Sequence, residues 1–499
     1  MAKHRRTPAP SPTRLRLAMA TATAAALTGG FFVTTAGSAT AATPEVAKSD
    51  ADFNGDGVAD NAVAAPFASV SGHAEAGQIS VLYGGGKRVT LSQNSTGVPG
   101  SAETGDHFGV SSAYGDFDGD GFDDLVVGAA GEDVGTDKDG GTAAVLWGSA
   151  NGLTGGKTVA DPRPSKHDRF GEFLEAADLN GDGHDDLAVG TPNSTTVDVV
   201  RGGFTRTGGN GGAYTVTAPA LGSAQGGGIN NLHSGDINGD GVEDLLVNGF
   251  EPLDSETDDY SYNANFYLPG SASGVTASGA VKLPAGIITD VGDVDSDGKG
   301  DIVFGVAWDN SSGVPGSQLG GAALIAHGTA NGPDVSGVQT IDQDTSGVPG
   351  SGETGDSFGN ELDLGDINGD GHLDLVVGVP GEDLDGVKNA GAITVLYGAA
   401  DGSGITGTGS KSFHQNTPGV PNSNEAEDVF GAEVHVDDLN GDGRGDVTVG
   451  APGENGSNGA VYALNSGADA TLSSPGGIYT STLGISPSGT PLLGVDMAD

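Results

Sequence analysis

Residues 116–124 read Asp-Phe-Asp-Gly-Asp-Gly-Phe-Asp-Asp, and the same nine-residue frame returns six more times along the chain. It begins at Asp52 (DFNGDGVAD), Asp116, Asp178 (DLNGDGHDD), Asp236 (DINGDGVED), Asp293 (DVDSDGKGD), Asp366 (DINGDGHLD) and Asp438 (DLNGDGRGD). Successive starts lie 64, 62, 58, 57, 73 and 72 residues apart. One such stretch is a surface turn; seven at a near-constant period are a structural unit. Oxygens at positions 1, 3 and 5, glycine at 6, a backbone carbonyl at 7 and a later carboxylate can encircle one Ca²⁺. An EF-hand closes that ring with glutamate at position 12, between two helices. Here position 12 is apolar at Val63, Val127, Val189 and Val377, and the closing carboxylate stands at position 9 instead. The EF-hand is therefore the wrong frame.

The flanks are strand-like. Short apolar runs follow the loops, as at Leu125-Val126-Val127, Leu187-Ala188-Val189, Leu245-Leu246-Val247, Ile302-Val303-Phe304 and Leu375-Val376-Val377, and glycine ends most of them. Further on comes a second run, such as Val81-Leu82-Tyr83-Gly84 or Val395-Leu396-Tyr397-Gly398, and then turn dipeptides such as Asn151-Gly152 and Asp401-Gly402. Each repeat reads as four short strands with the acidic loop in a hairpin. Seven units of about 65 residues predict an all-β, seven-bladed β-propeller of four-stranded blades, with a calcium loop in each blade. Calcium-binding β-solenoids have a far shorter repeat.

Composition narrows the function. Glycine supplies 91 of 499 residues, about 18%, and aromatics only 5%. Acids outnumber bases 67 to 20, for a net charge of −47, which excludes a nucleic-acid binder because phosphate contacts need a basic surface. With no cysteine there are no disulfides, thiolate metal sites or cysteine nucleophiles. Lys3, Arg5, Arg6, Arg14 and Arg16 precede an apolar, alanine-rich stretch over 17–33, and Ala39-Thr40-Ala41 fits a leader-peptidase site. The expected organisation is a secretory signal over 1–41 and a propeller over 42–499, secreted and extracellular. No later segment has the run of about 18 apolar residues that a membrane helix needs.

The sequence resembles the FG-GAP repeat family, known from the N-terminal propeller of integrin α subunits. Phe108-Gly109, Phe170-Gly171, Phe358-Gly359 and Phe430-Gly431 open repeats, and Gly128-Ala129-Ala130, Gly190-Thr191-Pro192, Gly378-Val379-Pro380 and Gly450-Ala451-Pro452 stand in the GAP position. Repeats four and five depart from the pattern, with Gly227-Gly228 and Ile288-Thr289 in place of FG and Asn248-Gly249-Phe250 in place of GAP. A loop in every blade resembles the secreted bacterial members, and also the propeller of glycosylphosphatidylinositol-specific phospholipase D. The resemblance implies up to seven Ca²⁺, one per blade, held by side chains at positions 1, 3, 5 and 9. The implied ligands are Asp52, Asn54, Asp56 and Asp60 in the first blade and Asp116, Asp118, Asp120 and Asp124 in the second. The third blade offers Asp178, Asn180, Asp182 and Asp186, and the fourth Asp236, Asn238, Asp240 and Asp244. Asp293, Asp295, Asp297 and Asp301 follow in the fifth, Asp366, Asn368, Asp370 and Asp374 in the sixth, and Asp438, Asn440, Asp442 and Asp446 in the seventh. Calcium is then expected to brace the chain in place of disulfides.

A propeller must join its first and last blades. Leu493-Gly494-Val495-Asp496-Met497-Ala498 parallels Phe108-Gly109-Val110-Ser111-Ser112-Ala113, so the C-terminal tail is expected to supply the strand missing from the first blade; residues 45–51 are the alternative.

Other motifs dissolve into the repeat. Arg444-Gly445-Asp446 spells an integrin-recognition tripeptide, but Asp446 is the ninth position of a loop. Residues 151–158 approach a phosphate-binding loop but lack its first glycine and begin with a recurring hairpin turn. Scattered histidines and pairs such as Glu132-Asp133 form no catalytic constellation. Tyr260, Tyr262 and Trp308, in loops that the resemblance places opposite the calcium loops, are the candidate ligand-binding residues. The functional expectation is a non-enzymatic adhesion or ligand-binding module. It acts as a monomer on an unidentified cell-surface protein or glycan and does not insert into a membrane after signal cleavage. An extracellular hydrolase related to the phospholipase D propeller is the alternative.

Overall fold

In the computed structural model, which describes residues 51–222, 227–251 and 263–498, the chain forms seven antiparallel blades around one axis. The signal-like segment lies outside the described residues. In the second blade, Phe108–Gly115, Asp124–Ala129, Thr142–Trp147 and Thr154–Val159 pair in chain order. Blades three to seven repeat this order, and the first has three consecutive strands, Asn61–Ala65, Gln78–Leu82 and Arg88–Leu91; the fifth carries a small extra hairpin, Gly328–Thr329 with Gly332–Pro333, and the seventh an added strand, Ile478–Tyr479. First strands of successive blades lie side by side around the axis. Burial falls outward: every residue of Asp124–Ala129 is buried, whereas most of Thr154–Val159 is exposed. A second strand is covered on both faces by neighbouring blades. It therefore reads as an unbroken apolar run, without the alternation of a half-exposed strand.

The core is divided among the seven junctions between blades. Phe170, Leu174 and Val189 of the third blade meet Val126, Val145 and Trp147 of the second, and equivalent clusters fill the other six gaps. The FG and GAP glycines are where the blades touch backbone to backbone. A Cβ on Gly128 would lie 2.0 Å from the carbonyl oxygen of Gly171 in the next blade, and one on Gly378 would lie 2.1 Å from that of Gly431. The fifth blade departs from the motif in its FG residues, yet its Gly305 makes the same approach to Gly359, at 2.1 Å.

The last residues run antiparallel beside Asn61–Ala65. Gly494 donates to Ala64 at 3.0 Å, Ala64 to Asp496 at 2.9 Å and Ala498 to Ala62 at 2.8 Å. Leu493 and Met497 are fully buried among Val63, Ala65, Val461 and Ile478. Gly494 plays the part of an FG glycine, with its carbonyl oxygen 2.0 Å from where a Cβ on Gly450 would be. The chain end is thus the innermost strand of the first blade. Of the alternative segment, residues 45–50 lie outside the described residues.

Candidate metal centres

In six blades the nine-residue frame joins the first and second strands, and in the first blade it leads into Asn61–Ala65, whose inner partner is the tail; this sets the loops in a ring on one face. The position-1 aspartate folds the loop over itself. Asp116 accepts the N–H of Asp120 on Oδ1 and of Gly121 on Oδ2, each at 3.0 Å, and Asp52, Asp178, Asp236, Asp293, Asp366 and Asp438 do the same. The turn needs a positive φ at position 6, where glycine stands in every loop, with φ from 83° to 89°. The position-5 aspartates accept the position-7 N–H and face solvent, as Asp120 does from Phe122 at 3.2 Å.

The position-9 aspartate heads the second strand and is fully buried in all seven blades. One of its oxygens accepts a backbone N–H from the end of the third strand or just beyond it, at 2.8–2.9 Å: Gly84 to Asp60, Gly148 to Asp124, Gly202 to Asp186, Gly270 to Asp244, Gly328 to Asp301, Gly398 to Asp374 and Ser466 to Asp446. In five loops the position-3 asparagine turns its amide on the same carboxylate, as Asn180 does to Asp186 at 3.0 and 2.9 Å. Burial pushes these carboxyls up: Asp124 to about 8, Asp60, Asp244, Asp374 and Asp446 to about 7, and Asp186 and Asp301 to about 6.

The donors fit a divalent cation that prefers oxygen. Ligand oxygens of Asp116, Asp118 and Asp124 lie within 4.8 Å of one another, and buried Asp118 Oδ1 and Asp124 Oδ2 have no hydrogen-bond partner. Carboxylate and carbonyl oxygens at this spacing would hold Ca²⁺, which would supply the charge that these acids lack.

Two loops carry aspartate at position 3, and the fold brings a basic side chain to each. Arg206, on a hairpin of the third blade, lies 3.2 Å from Asp118 and 2.8 Å from Asp120, with its guanidinium over Trp147. His327 lies 3.4 Å from Asp295 and 3.2 Å from Asp301.

Position 8, which the ligand pattern passes over, joins neighbouring loops. Asp123 accepts the N–H of Asp52 at 2.9 Å, Asp185 that of Asp116 at 2.8 Å and Glu243 that of Asp178 at 2.7 Å. Where position 8 is glycine or alanine, its own N–H reaches the previous loop's position-1 carbonyl, as from Gly445 to Asp366 at 2.7 Å and from Ala59 to Asp438 at 3.1 Å. A second constellation is equally absent from the motif reading. Gln93 donates to Glu132, Gln343 to Glu382 and Gln415 to Glu454, each pair 39 residues apart. Its signal in the sequence is the recurrence of one segment at 93–109, 343–359 and 415–431.

The remaining motifs take structural places. Asp446 of the Arg-Gly-Asp tripeptide is fully buried, and Arg444 pairs with Asp442 at 3.1 Å. The phosphate-loop look-alike is a turn leading into the outer strand Thr154–Val159. Trp308 is half-buried against the junction of the fourth and fifth blades, while Tyr260 and Tyr262 lie outside the described residues.

Together these features define a seven-bladed β-propeller with an acidic hairpin loop in every blade. The FG-GAP repeat matches residues 51–82, 108–146, 358–396 and 430–464, and the FG-GAP-like repeat matches 178–247. The chain carries FG-GAP repeats in an integrin-α-like propeller. A phosphatidylinositol-glycan-specific phospholipase D of Bos taurus is 35% identical over 154 residues, 29% of this chain and 18% of that protein. Its Mus musculus counterpart is 33% identical over 146 residues, 28% of this chain and 17% of that protein. Integrin alpha-PS5 of Drosophila melanogaster is 32% identical over 165 residues, 30% of this chain and 15% of that protein. These matches span less than a fifth of each relative's length.

Proposed function

We propose that this chain is a secreted, calcium-loaded propeller that binds a cell-surface protein or glycan as a non-enzymatic adhesion module. The observation that carries the reading is the buried position-9 carboxylate, repeated in all seven blades beside two or three further acids. Acids packed this way repel one another and favour a bound divalent cation. The integrin-like repeats support the adhesion half, and the leader-like N-terminus supports export. Among the described residues no helix is long and apolar enough to cross a membrane. Ca²⁺ in each loop would hold the ring of loops rigid, leaving the opposite face, where Trp308 stands, for the partner.

Co-sedimentation of the calcium-loaded protein with cell-envelope preparations, against a matched sample in chelator, tests the proposal. Calcium-dependent retention is expected. Equal recovery in both supernatants would remove the adhesion reading.

A further inference from the structure

The fifth-blade loop is built from a different set of donors. We propose that Asp295, Asp301 and His327 form a mixed nitrogen–oxygen centre that takes a first-row transition ion, such as Zn²⁺, in preference to Ca²⁺. The inference deepens the metal reading of the loops and rests on it, but not on the identity of the ion in the other six.

His327 immediately precedes Gly328, whose N–H is tied to Asp301 at 2.9 Å, so the register of the third strand sets its side chain over the loop. The other blades carry Tyr83, Trp147, Arg201, Pro269, Tyr397 and Asn465 at this place, and the fifth alone offers an imidazole. Nδ1 of His327 lies 3.4 Å from Asp295 Oδ2 and 3.2 Å from Asp301 Oδ1. That nitrogen is closed off from solvent and makes no hydrogen bond of acceptable geometry. Two ligands about 2.1 Å from a tetrahedral ion stand about 3.4 Å apart, close to this spacing. The Asp301 carboxylate is also fixed in orientation, because its second oxygen accepts the Val294 N–H at 3.0 Å.

Donor chemistry then sets the preference. Imidazole suits Zn²⁺ and its neighbours, whereas Ca²⁺ takes oxygen. The second blade makes the contrast. Its extra carboxylate, Asp118, is met by Arg206, a permanent cation that cannot ligate a metal. The extra carboxylate of the fifth blade is met by a side chain that can.

The full chain, held in millimolar Ca²⁺, is titrated with Zn²⁺ by calorimetry, and its metal content is measured after dialysis. One tightly held Zn²⁺ per chain is expected despite the calcium excess. His327→Tyr, the residue that blades one and six carry, should lose that equivalent and keep its calcium count and its melt in calcium. His372→Asn should keep the Zn²⁺, because that neighbouring imidazole approaches Ser296 at 3.5 Å and not the carboxylates. In wild-type chain loaded with one Co²⁺, an imidazole N–H resonance strongly shifted by the metal gives a check independent of any variant. No Zn²⁺ retained against calcium, or Zn²⁺ binding unchanged by His327→Tyr, would overturn the proposal and leave His327 an ion-pair partner only. One Zn²⁺ retained by a chain that binds no Ca²⁺ would uphold this site and refute the calcium reading of the other loops.

Discussion

Asp124 heads a strand that is buried along its whole length, and burial pushes its carboxyl up to about 8 because the charged form loses its water. The same holds at about 7 for Asp60, Asp244, Asp374 and Asp446. A carboxyl raised in this way keeps a proton in the folded chain that the unfolded chain has lost, from about pH 4 upward. The calcium-free chain therefore loses stability as pH rises through about 7, and its Tm in chelator should be higher at pH 5 than at pH 8. Calcium displaces those protons, so the Tm gain on adding it should be larger at pH 8; thermal melts at the two pH values check both signs. Asp124→Asn removes one buried charge and keeps an acceptor for Gly148. Its Tm in chelator should equal or exceed that of the parent. In calcium at tenfold the Kd, it should forgo about 1.4 kcal/mol of ligand stabilisation, measured by denaturation with and without the ion. The acidic loops were legible at this scale because one nine-residue spacing of residue types recurs seven times. Asp123, Asp185 and Glu243 were not legible, since their partners belong to the adjacent blade and no local spacing announces them.

The repeated strands were legible because a second strand covered on both faces must be apolar throughout, as Leu125-Val126-Val127 is. The glycines of the motif were visible as letters, but their reason was not: it is a contact across the junction, between residues 43 apart at Gly128 and Gly171. Gly378→Ala would drive a methyl against the Gly431 carbonyl oxygen, which backbone on both sides prevents from yielding. The variant should lose about 3 kcal/mol, read by denaturant unfolding, in calcium and in chelator alike. The tail strand is the other element with a measurable consequence. Deleting residues 492–499 removes Leu493 and Met497 from the junction of the seventh and first blades, at about 2 kcal/mol of apolar burial each, and strips Asn61–Ala65 of its inner neighbour while Gln78–Leu82 stays paired on the other side. Denaturant unfolding of the truncated chain should lose its single steep transition. A truncation that unfolds like the parent would show that the tail contact contributes nothing to closure.

The whole molecule divides its core into seven junctions and carries a net charge of −47, so neither one large core nor a disulfide holds the ring together. The seven-part architecture was legible from period alone. Closure was legible only as a likeness between the tail at 493–498 and the segment at 108–113 that opens the second repeat, and the links between loops not at all, because both depend on which blades become neighbours. Those links give the account its central claim. At six of the seven junctions position 8 of one loop is bonded to position 1 of the loop before it, the sixth loop with Leu373 at that position being the exception, so an ion that stiffens one hairpin steadies the next. Calcium should therefore act on the propeller as a unit. The most direct measurement is scanning calorimetry of the full chain in millimolar Ca²⁺ and in excess chelator at pH 8. The account predicts one transition in calcium, well above a lower and broader one in chelator. Superimposable transitions in the two buffers would contradict it, since they would mean that the repeated carboxylates neither hold the ion nor need it.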